Sequence, residues 1–164
     1  MDQRLDEPYF NSWVETPLGL LKVTYNHTHI ERVYFEKNAL DISHNTIHNQ
    51  IFNDFKKQIS FYFSNKLKSF DLPTLPAGTA FQKNVWKALQ DIPFGTNCSY
   101  MDLAIKLGGK EKTRAVASAI AKNPILILIP CHRVIGSDGK LTGFSGGVHR
   151  KKALLEIEGL RIDF

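Results

Sequence analysis

The sequence predicts a mixed α/β (α+β) protein of two small domains, and three observations support that prediction. Strand-like apolar segments come first, an apolar period of four follows, and after a Pro- and Gly-rich stretch the chain shows repeated helix caps. We expect a sheet-plus-helix domain over residues 1–76 and a mainly helical domain with a helix-turn-helix over residues 77–164. A length of 164 residues suits one domain or two small ones, and a hydrophobic fraction of 43% supports a packed core.

The N-terminal domain is predicted to contain a β-hairpin followed by one amphipathic helix. Gly19 to Tyr25 (GLLKVTY) and Ile30 to Phe35 (IERVYF) have the composition of strands, and Asn26 to His29 would join them. The period then changes between Asn45 and Leu67. Four apolar residues recur there at every fourth position: Ile47, Ile51, Phe55 and Ile59. Such a stripe is typical of an amphipathic helix.

The boundary between the domains is predicted at a segment rich in Pro and Gly, Leu72 to Gly78 (LPTLPAG). Directly after it, Thr79 and Gln82 form a capping-box pattern ahead of an apolar helical period. A helix should therefore begin there. Pro93 and Gly95 should stop it, because both residues disfavour a helix interior.

The next two predicted helices form a helix-turn-helix. Ser99 and Asp102 can cap a short helix that runs through Leu107, and Gly108-Gly109 would end it. A further helix should run from about Thr113 to Lys122. A short helix, a glycine-bearing turn and a second helix are the pattern of this motif.

Two elements complete the C-terminal domain. Ile125 to Ile129 is an unbroken run of β-branched residues and leucine, so it predicts a buried extended segment. Val148 to Glu158 predicts a last helix, with Gly159 in the position directly after the helix cap.

The distribution of charge favours a polyanionic partner for the second domain. Residues 1–76 carry 8 Lys and Arg against 9 Asp and Glu, whereas residues 77–164 carry 13 against 7. A basic surface of this kind suits nucleic acid. The alternative is a basic surface that is merely solvated.

The apolar segments and the cysteines indicate a cytoplasmic protein with no membrane partner. Met1 to Phe10 lacks the apolar core of a signal peptide, and Pro124 to Pro130 is too short to span a bilayer. Cys98 and Cys131 are the only cysteines. We expect free thiols, and two cysteines exclude a Cys-rich zinc site.

The densest group of reactive side chains is the segment Ile129 to Val134 (IPCHRV). His132 and Arg133 next to Cys131 would favour the thiolate, which is the nucleophilic form. The alternative is a cysteine that acts only as a small buried hydrophobe. Adjacent side chains of an extended segment point to opposite faces, so a direct Cys131–His132 hydrogen bond requires the backbone to turn. A relay through water suits the extended geometry better.

These residues resemble the active-site signature of the O6-alkylguanine-DNA alkyltransferases, also called methylated-DNA–protein-cysteine methyltransferases. The similarity rests on PCHRV and covers about residues 79–159, whereas residues 1–76 share only length and coarse pattern with the family's variable N-terminal domain. Five further segments match: Ser99-Tyr100, Arg114 to Ala117 (RAVA), Asn123-Pro124, Gly143 to Gly147 (GFSGG) and Glu158-Gly159. The resemblance implies DNA repair, with the alkyl group of O6-alkylguanine transferred once and irreversibly to Cys131.

The resemblance also implies roles for the residues that act with Cys131. His132 would act as a base through a water, and Glu158 would orient and charge-balance His132. Asn123 would fix the turn that carries the active-site strand. The structural alternatives are a helix-end surface carboxylate for Glu158, which the helix dipole disfavours, and an ordinary helix C-cap for Asn123.

The substrate pocket and the DNA contact follow from the same resemblance. Tyr100 would hydrogen-bond the flipped guanine, and backbone groups of Val134 and Ser145 would line its pocket. The family binds double-stranded DNA through the minor groove, and the small residues of the third helix, among them Ala115, permit close approach, although some of them must pack the core. Arg114 would be the arginine finger that replaces the extruded base, or otherwise a phosphate contact. Lys112 and Thr113 precede it where some members of the family have smaller residues, and they would add a phosphate contact or crowd the groove.

The remaining expectations concern cofactors and competing functions. We expect no cofactor and no zinc, since the first domain has no cysteine and offers only His27, His29, His44 and His48. We expect a monomer. A Cys–His hydrolase is the first alternative, but it needs direct contact between the thiol and the imidazole, which their adjacency opposes. A damage sensor without activity is the second, and relatives of that kind lack the cysteine.

Overall fold

The computed structural model of the chain describes residues 7–38, 47 and 49–162. The chain divides into two compact units, Met1–Pro76 and Ala77–Phe164. The predicted mixed fold is confirmed, because the first unit combines a small antiparallel sheet with a helix and the second is mainly helical. Within the described ranges, no helix is long and apolar enough to cross a membrane.

The first unit contains a three-stranded antiparallel sheet in the order β1-β2-β3: β1 (Phe10–Thr16), β2 (Gly19–Tyr25) and β3 (Ile30–Phe35). The predicted hairpin is confirmed as β2 and β3, whereas β1 escaped prediction. The inward face of β1 includes Ser12, which is fully buried and hydrogen-bonded to the Tyr25 hydroxyl at 2.8 Å. A polar residue on the buried face hides the apolar alternation that marks a strand.

The helix of the first unit is α1 (Gln50–Phe63), and its predicted apolar stripe was partly wrong. The residues that α1 buries are Phe52, Phe55, Ile59 and Tyr62. Ile47 lies before the helix and is 46% exposed. The helix starts later than expected because the side chain of Asn49 accepts a hydrogen bond from the Phe52 amide and caps it.

The second unit begins with three helices: α2 (Ala80–Gln90), α3 (Tyr100–Lys106) and α4 (Thr113–Ala121). Both predicted capping boxes are formed, Thr79 with Gln82 and Ser99 with Asp102. The helix-turn-helix prediction is confirmed, with α4 packed against α2 and α3. The Trp86 indole N–H donates to the carbonyl of Ala119 at 2.8 Å and fixes α4 on α2.

The segment after α4 is buried but not extended, so that prediction was wrong. Ile125 to Ile129 forms tight turns, and Ile127 has a φ of 72°. The Ile129 amide donates to the carbonyl of Ile125 at 3.1 Å, which an extended chain cannot do. All five residues are buried. Burial requires apolar side chains in any conformation, so composition alone did not distinguish a turn from a strand.

The reactive segment and the last helix follow. Cys131–Arg133 forms one turn of 3-10 helix, and β5 (Val134–Ile135) then pairs in parallel with β4 (Cys98–Ser99). The last helix is α5 (Val148–Ile157), capped by Glu158. Gly159 has a φ of 89°, which is the left-handed cap geometry that the sequence predicted.

Candidate active site

A cavity of about 610 Å³ lies in the second unit, and Cys131 forms part of its wall. Tyr100 at the start of α3, Arg114 at the start of α4 and Ser145 in the loop before α5 line the same cavity. The cavity thus brings together four residues that the sequence singled out. Cys131 is only 4% exposed, so its thiol is accessible to a ligand only through this cavity.

Glu158 is the centre of a buried polar network behind Cys131. Its carboxylate accepts four hydrogen bonds: from His132 Nε2 at 2.6 Å, from Arg133 Nε at 2.8 Å and Nη2 at 3.0 Å, and from the Gly95 amide at 3.2 Å. Burial alone would raise the pKa of Glu158, but hydrogen bonds from His132 and Arg133 hold it well below its usual range. Glu158 is therefore an ionised carboxylate in the interior.

Gly95 can make this contact because of its backbone conformation. Its φ is 77°, in the region that favours glycine, and a Cβ placed there would stand 3.1 Å from the carbonyl oxygen of Glu158. The glycine that the sequence marked only as a helix stop therefore lets its own amide approach the carboxylate.

His132 is fully buried and faces the carboxylate through Nε2. Burial lowers the pKa of His132, and the Glu158 hydrogen bond and charge oppose that shift without cancelling it. Because an ionised carboxylate only accepts hydrogen bonds, Nε2 carries a proton, and in the neutral imidazole that the lowered pKa favours Nδ1 holds the lone pair. Nδ1 is buried and makes no hydrogen bond with any residue that the structure describes.

The surroundings of the Cys131 thiol favour its protonated form on balance. Burial raises the pKa of Cys131, while a hydrogen bond from Asn123 and the positive charge of Lys151 partly offset that effect. No hydrogen bond joins Cys131 to His132, both of which lie in the described part of the chain. A nucleophilic role therefore requires a base that removes the thiol proton.

Asn123 holds the turn segment that precedes Cys131 at both ends. Its side-chain amide donates to the carbonyl of Ile129 at 2.9 Å, and its side-chain oxygen accepts from the amide of Ile125 at 3.0 Å. Lys122 is the C-terminal cap of α4 and Asn123 follows it, so Asn123 is not the helix cap, and its side chain holds the turn instead. Since no strand carries Cys131, the expected active-site strand is corrected to a turn closed by Asn123.

Tyr100 shares its hydroxyl with a buried lysine that the sequence analysis missed. The hydroxyl donates to the carbonyl of Thr142 at 3.2 Å, and Lys151 Nζ lies 3.4 Å from the same hydroxyl and 2.9 Å from the same carbonyl. Lys151 is fully buried on α5. Burial lowers the pKa of Lys151 to about 8, and the Cys131 charge partly opposes this shift.

The outer face of α4 carries the residues predicted to meet DNA. Arg114, Ala115 and Lys112 are all exposed. Ala119, by contrast, is buried, so the expected mixture of surface and core alanines on this helix is what the structure has. Lys112 Nζ lies 3.3 Å from the carbonyl of Leu107, at the end of α3.

Val134 does not line the cavity in this structure. It is fully buried in β5 and pairs with Cys98 across the short parallel ladder. The predicted contact of its backbone with a substrate stays a prediction, and the structure fixes Val134 directly after the turn Cys131–Arg133.

Arg133 is placed differently from the sequence prediction. Its guanidinium was expected to favour the Cys131 thiolate, but it forks onto Glu158 and also donates to the carbonyl of Ile92 at 2.6 Å. The positive charge that acts on Cys131 comes from Lys151 instead. Lys151 follows His149 and Arg150 and precedes Lys152, so the sequence carries no signal that distinguishes it from the surface cations beside it.

The described residues contain no group of three or more His, Cys, Asp and Glu that could hold a metal ion. Two of the histidines weighed above, His44 and His48, lie outside the described residues. His29 bonds to the Tyr9 hydroxyl and the Thr28 hydroxyl.

Comparison with known proteins decides the family. Residues 80–160 match the DNA-binding domain of 6-O-methylguanine DNA methyltransferase, and residues 9–76 match its ribonuclease-like domain. The chain belongs to this methyltransferase family. The resemblance drawn from PCHRV is thereby confirmed, and it now extends to the first unit, where the sequence analysis found only a coarse pattern.

Relatives and solved structures of the family agree with this assignment. A methylated-DNA–protein-cysteine methyltransferase from Methanosarcina barkeri is 44% identical over 148 residues, which are 88% of this chain and 94% of that protein. The crystal structure of Mycobacterium tuberculosis O6-methylguanine methyltransferase has a TM-score of 0.82 at 37% identity, covering 92% of this chain and 93% of the other. The crystal structure of OGT from the same organism in complex with DNA has a TM-score of 0.80 at 39% identity, and the match covers 92% of this chain and 91% of the other.

Proposed function

We propose that this protein repairs O6-alkylguanine in double-stranded DNA by taking the alkyl group onto Cys131. The observation that carries the proposal is the position of Cys131, in the wall of a cavity shared with Tyr100 and Arg114 and directly before a His132 that a buried carboxylate orients. The nucleophile thus has a base beside it and a further group that orients the base, as nucleophilic catalysis requires. Family membership supplies the substrate class.

The chemical step is a displacement at saturated carbon. The proton of the Cys131 thiol passes to Nδ1 of His132 through a bridging water, and Glu158 stabilises the imidazolium. The sulfur then attacks the alkyl carbon, so that a C–S bond forms and the C–O6 bond breaks with its electron pair leaving on guanine. Guanine takes up one proton from the site. A hydrogen bond from Tyr100 and the backbone at Ser145 stabilise the developing charge.

Each molecule should react once. The product is a thioether on Cys131, and the site offers no group that could displace sulfur from a saturated carbon. Transfer is therefore stoichiometric with protein, and alkylation ends the activity of that molecule.

DNA binding is proposed to occur through the minor groove, with the exposed face of α4 against the backbone. Ala115 permits close approach, and Lys112 contacts a phosphate. The target base must leave the stack to reach the cavity, and Arg114 fills the gap that it leaves. Val134 offers backbone contacts to the flipped guanine. We propose that the protein acts on DNA as a monomer.

The proposed location is the cytoplasm. The acceptor must be a free thiol, and both Cys98 and Cys131 are free cysteines. Compartments with a glutathione or thioredoxin supply keep thiols in that state.

The decisive experiment is transfer of radiolabel from duplex DNA containing O6-[³H]methylguanine to the protein. We expect about one label per molecule, located on the Cys131 peptide. Cys131→Ser should abolish transfer and retain DNA binding, because a hydroxyl is a far weaker nucleophile. Cys98→Ser, which removes the other thiol, should transfer normally. Label release with turnover would instead indicate a hydrolase, and DNA binding without transfer would indicate a damage sensor.

A further inference from the structure

Arg133 makes more contacts in the buried network than a surface arginine could. Its guanidinium donates twice to Glu158 in a fork and once to the carbonyl of Ile92, and its charge centre lies 5.8 Å from the centroid of the Phe94 ring. It is only 6% exposed. A planar fork of this kind fixes a carboxylate in orientation as well as in charge, which a lysine could not do.

The two hydrogen bonds from Arg133 determine whether the Glu158 carboxylate needs a protonated His132 as its positive partner. A buried carboxylate needs a positive partner, and without Arg133 an imidazolium at His132, whose Nε2 lies 2.6 Å from the carboxylate, would supply that charge. Arg133 already supplies that charge. Its positive charge also disfavours a second cation at His132, as does the charge of Lys151.

We propose that Arg133 is a positioning residue that keeps His132 a neutral imidazole, protonated on Nε2 and free to accept a proton on Nδ1. Without Arg133, Glu158 would draw a proton from solvent onto His132 and hold it there as an ion pair. An imidazolium at rest has no lone pair for the thiol proton. The inference rests on the proposed function, in which His132 is the base for Cys131.

The groups that face His132 all enter this argument. Glu158 from the end of α5 favours the imidazolium, whereas Arg133 from the same turn and Lys151 from α5 oppose it. The Cys131 thiol is neutral at rest and becomes negative only when it gives up its proton. Removal of Arg133 therefore leaves one carboxylate opposed only by Lys151, and the balance moves towards the imidazolium.

The first measurement uses the wild-type protein. The ¹⁵N resonances of the His132 ring, assigned by their loss in His132→Gln, distinguish the Nε2–H tautomer from the imidazolium. We expect the neutral tautomer at pH 7, because burial lowers the pKa of His132. A wild-type imidazolium at pH 7 would overturn the inference without any further variant.

The second measurement uses Arg133→Met, which removes charge and fork but keeps an unbranched side chain. We expect His132 in this variant to remain an imidazolium to at least one pH unit higher than in wild type. Arg133→Met combined with Glu158→Gln should return His132 to the neutral form, because no buried carboxylate then requires a cation. Arg161→Met removes an exposed arginine of the same unit and should leave the His132 resonances unchanged.

The third measurement is the reaction of Cys131 with a small neutral alkylating reagent, in a Cys98→Ser background. The reaction rate falls at low pH, and in Arg133→Met this fall should occur about one pH unit or more higher than in wild type. At pH values below the fall the variant should react about tenfold more slowly, whereas its rate at high pH should equal that of wild type. An equal loss at every pH, with unshifted His132 resonances, would make Arg133 a purely structural residue. Because none of these readouts uses DNA, failure of the DNA repair function would leave them intact and distinguishable.

Discussion

The two sides of the candidate site are built on opposite principles. On the inner side, Glu158, His132 and Arg133 are buried and held by hydrogen bonds of 2.6 to 3.0 Å. On the outer side, Arg114 and Ala115 on α4 are exposed, and the structure gives them no comparable network among the described residues. The inner side is therefore organised before any substrate arrives. For the outer side we expect a geometry that is fixed only when DNA binds.

Because of this difference, substitutions can distinguish the two sides by experiment. Substitutions on the inner side should alter the chemistry of the thiol whatever the substrate. Substitutions on the outer side should alter only reactions that involve DNA.

The largest effect is expected for Glu158→Gln. The variant removes the negative partner of His132, so the imidazolium is no longer stabilised and the apparent pKa of Cys131 should rise. Transfer should slow about 100-fold at neutral pH, since a positioned base contributes at least that much. Reaction of the thiol with a small alkylating reagent, followed against pH, measures this. An unchanged pH profile would remove Glu158 from the proton relay.

The same variant has a predictable effect on stability. Loss of one partner of a buried pair costs about 3–5 kcal/mol. Because the pKa of folded Glu158 is depressed, its stabilising contribution is present above the ordinary carboxyl pKa and is lost as the pH falls towards the folded value. The difference in unfolding free energy between wild type and variant should therefore shrink in acid. Glu156→Gln, on the exposed face of α5, is the control and should show neither effect.

The second prediction tests the outer side through Arg114→Ala. If Arg114 fills the gap left by the flipped base, its loss raises the barrier to repair by the free energy of unstacking that base. This free energy is a few kcal/mol, so duplex repair should slow by about 30-fold or more. Reaction with free O6-benzylguanine should not change, since no base is extruded. The measurement is the single-turnover rate at saturating duplex.

The alternative for Arg114 is a phosphate contact, which saturating DNA would mask. A wild-type rate at saturating DNA would therefore exclude the finger role and leave Arg114 as a phosphate contact that only strengthens binding. Arg161→Ala removes a second exposed arginine of the same unit and controls for net charge. A loss with free O6-benzylguanine as well would place Arg114 on the inner side.

Sequence reasoning captured the two sides unequally. Local signals predicted α2 and α3, because each capping box spans only four residues, and PCHRV identified Cys131 and His132. The partners of the network are far apart in sequence: Arg133 meets the carbonyl of Ile92, and Glu158 meets the amide of Gly95. No local pattern encodes such pairs. The turn at Ile125–Ile129 was missed for a different reason, since burial fixes its composition but not its backbone.

The third prediction concerns Lys151, which belongs to the inner side although it contacts Tyr100. Lys151→Met removes the positive charge that favours the Cys131 thiolate, so transfer at pH 7 should fall about tenfold. Since burial brings the pKa of Lys151 to about 8, the wild-type rate should level off or decline above that pH as the charge is lost. The variant should lack this alkaline feature. Rate profiles from pH 6 to 10 test both statements.

Lys151→Met should also stabilise the fold, in contrast to Glu158→Gln. A lysine whose folded pKa is depressed destabilises the protein at pH below the folded value, and the cost is relieved as the pH rises towards 10.5. The variant should gain on the order of 1 kcal/mol at pH 7, which is a few degrees in Tm. Lys152→Met on the same helix is the matched control. A loss of stability would mean that the hydrogen bond to Thr142 outweighs the cost of the buried charge.

The smallest effect is expected for Lys112→Ala, and it tests whether one outer-side residue also belongs to the fold. A phosphate contact adds about one counterion to the salt dependence of binding, so the slope of log K against log salt should fall by about one unit. Transfer at saturating DNA should stay at the wild-type rate.

Lys112 Nζ also lies 3.3 Å from the carbonyl of Leu107, where a cation near the end of α3 is favourable. Because that contact is exposed, its loss should cost only a few tenths of a kcal/mol. Lys83→Ala on α2 is the control for an exposed lysine. An unchanged salt slope with reduced stability would assign Lys112 to the end of α3 and remove it from the DNA contact.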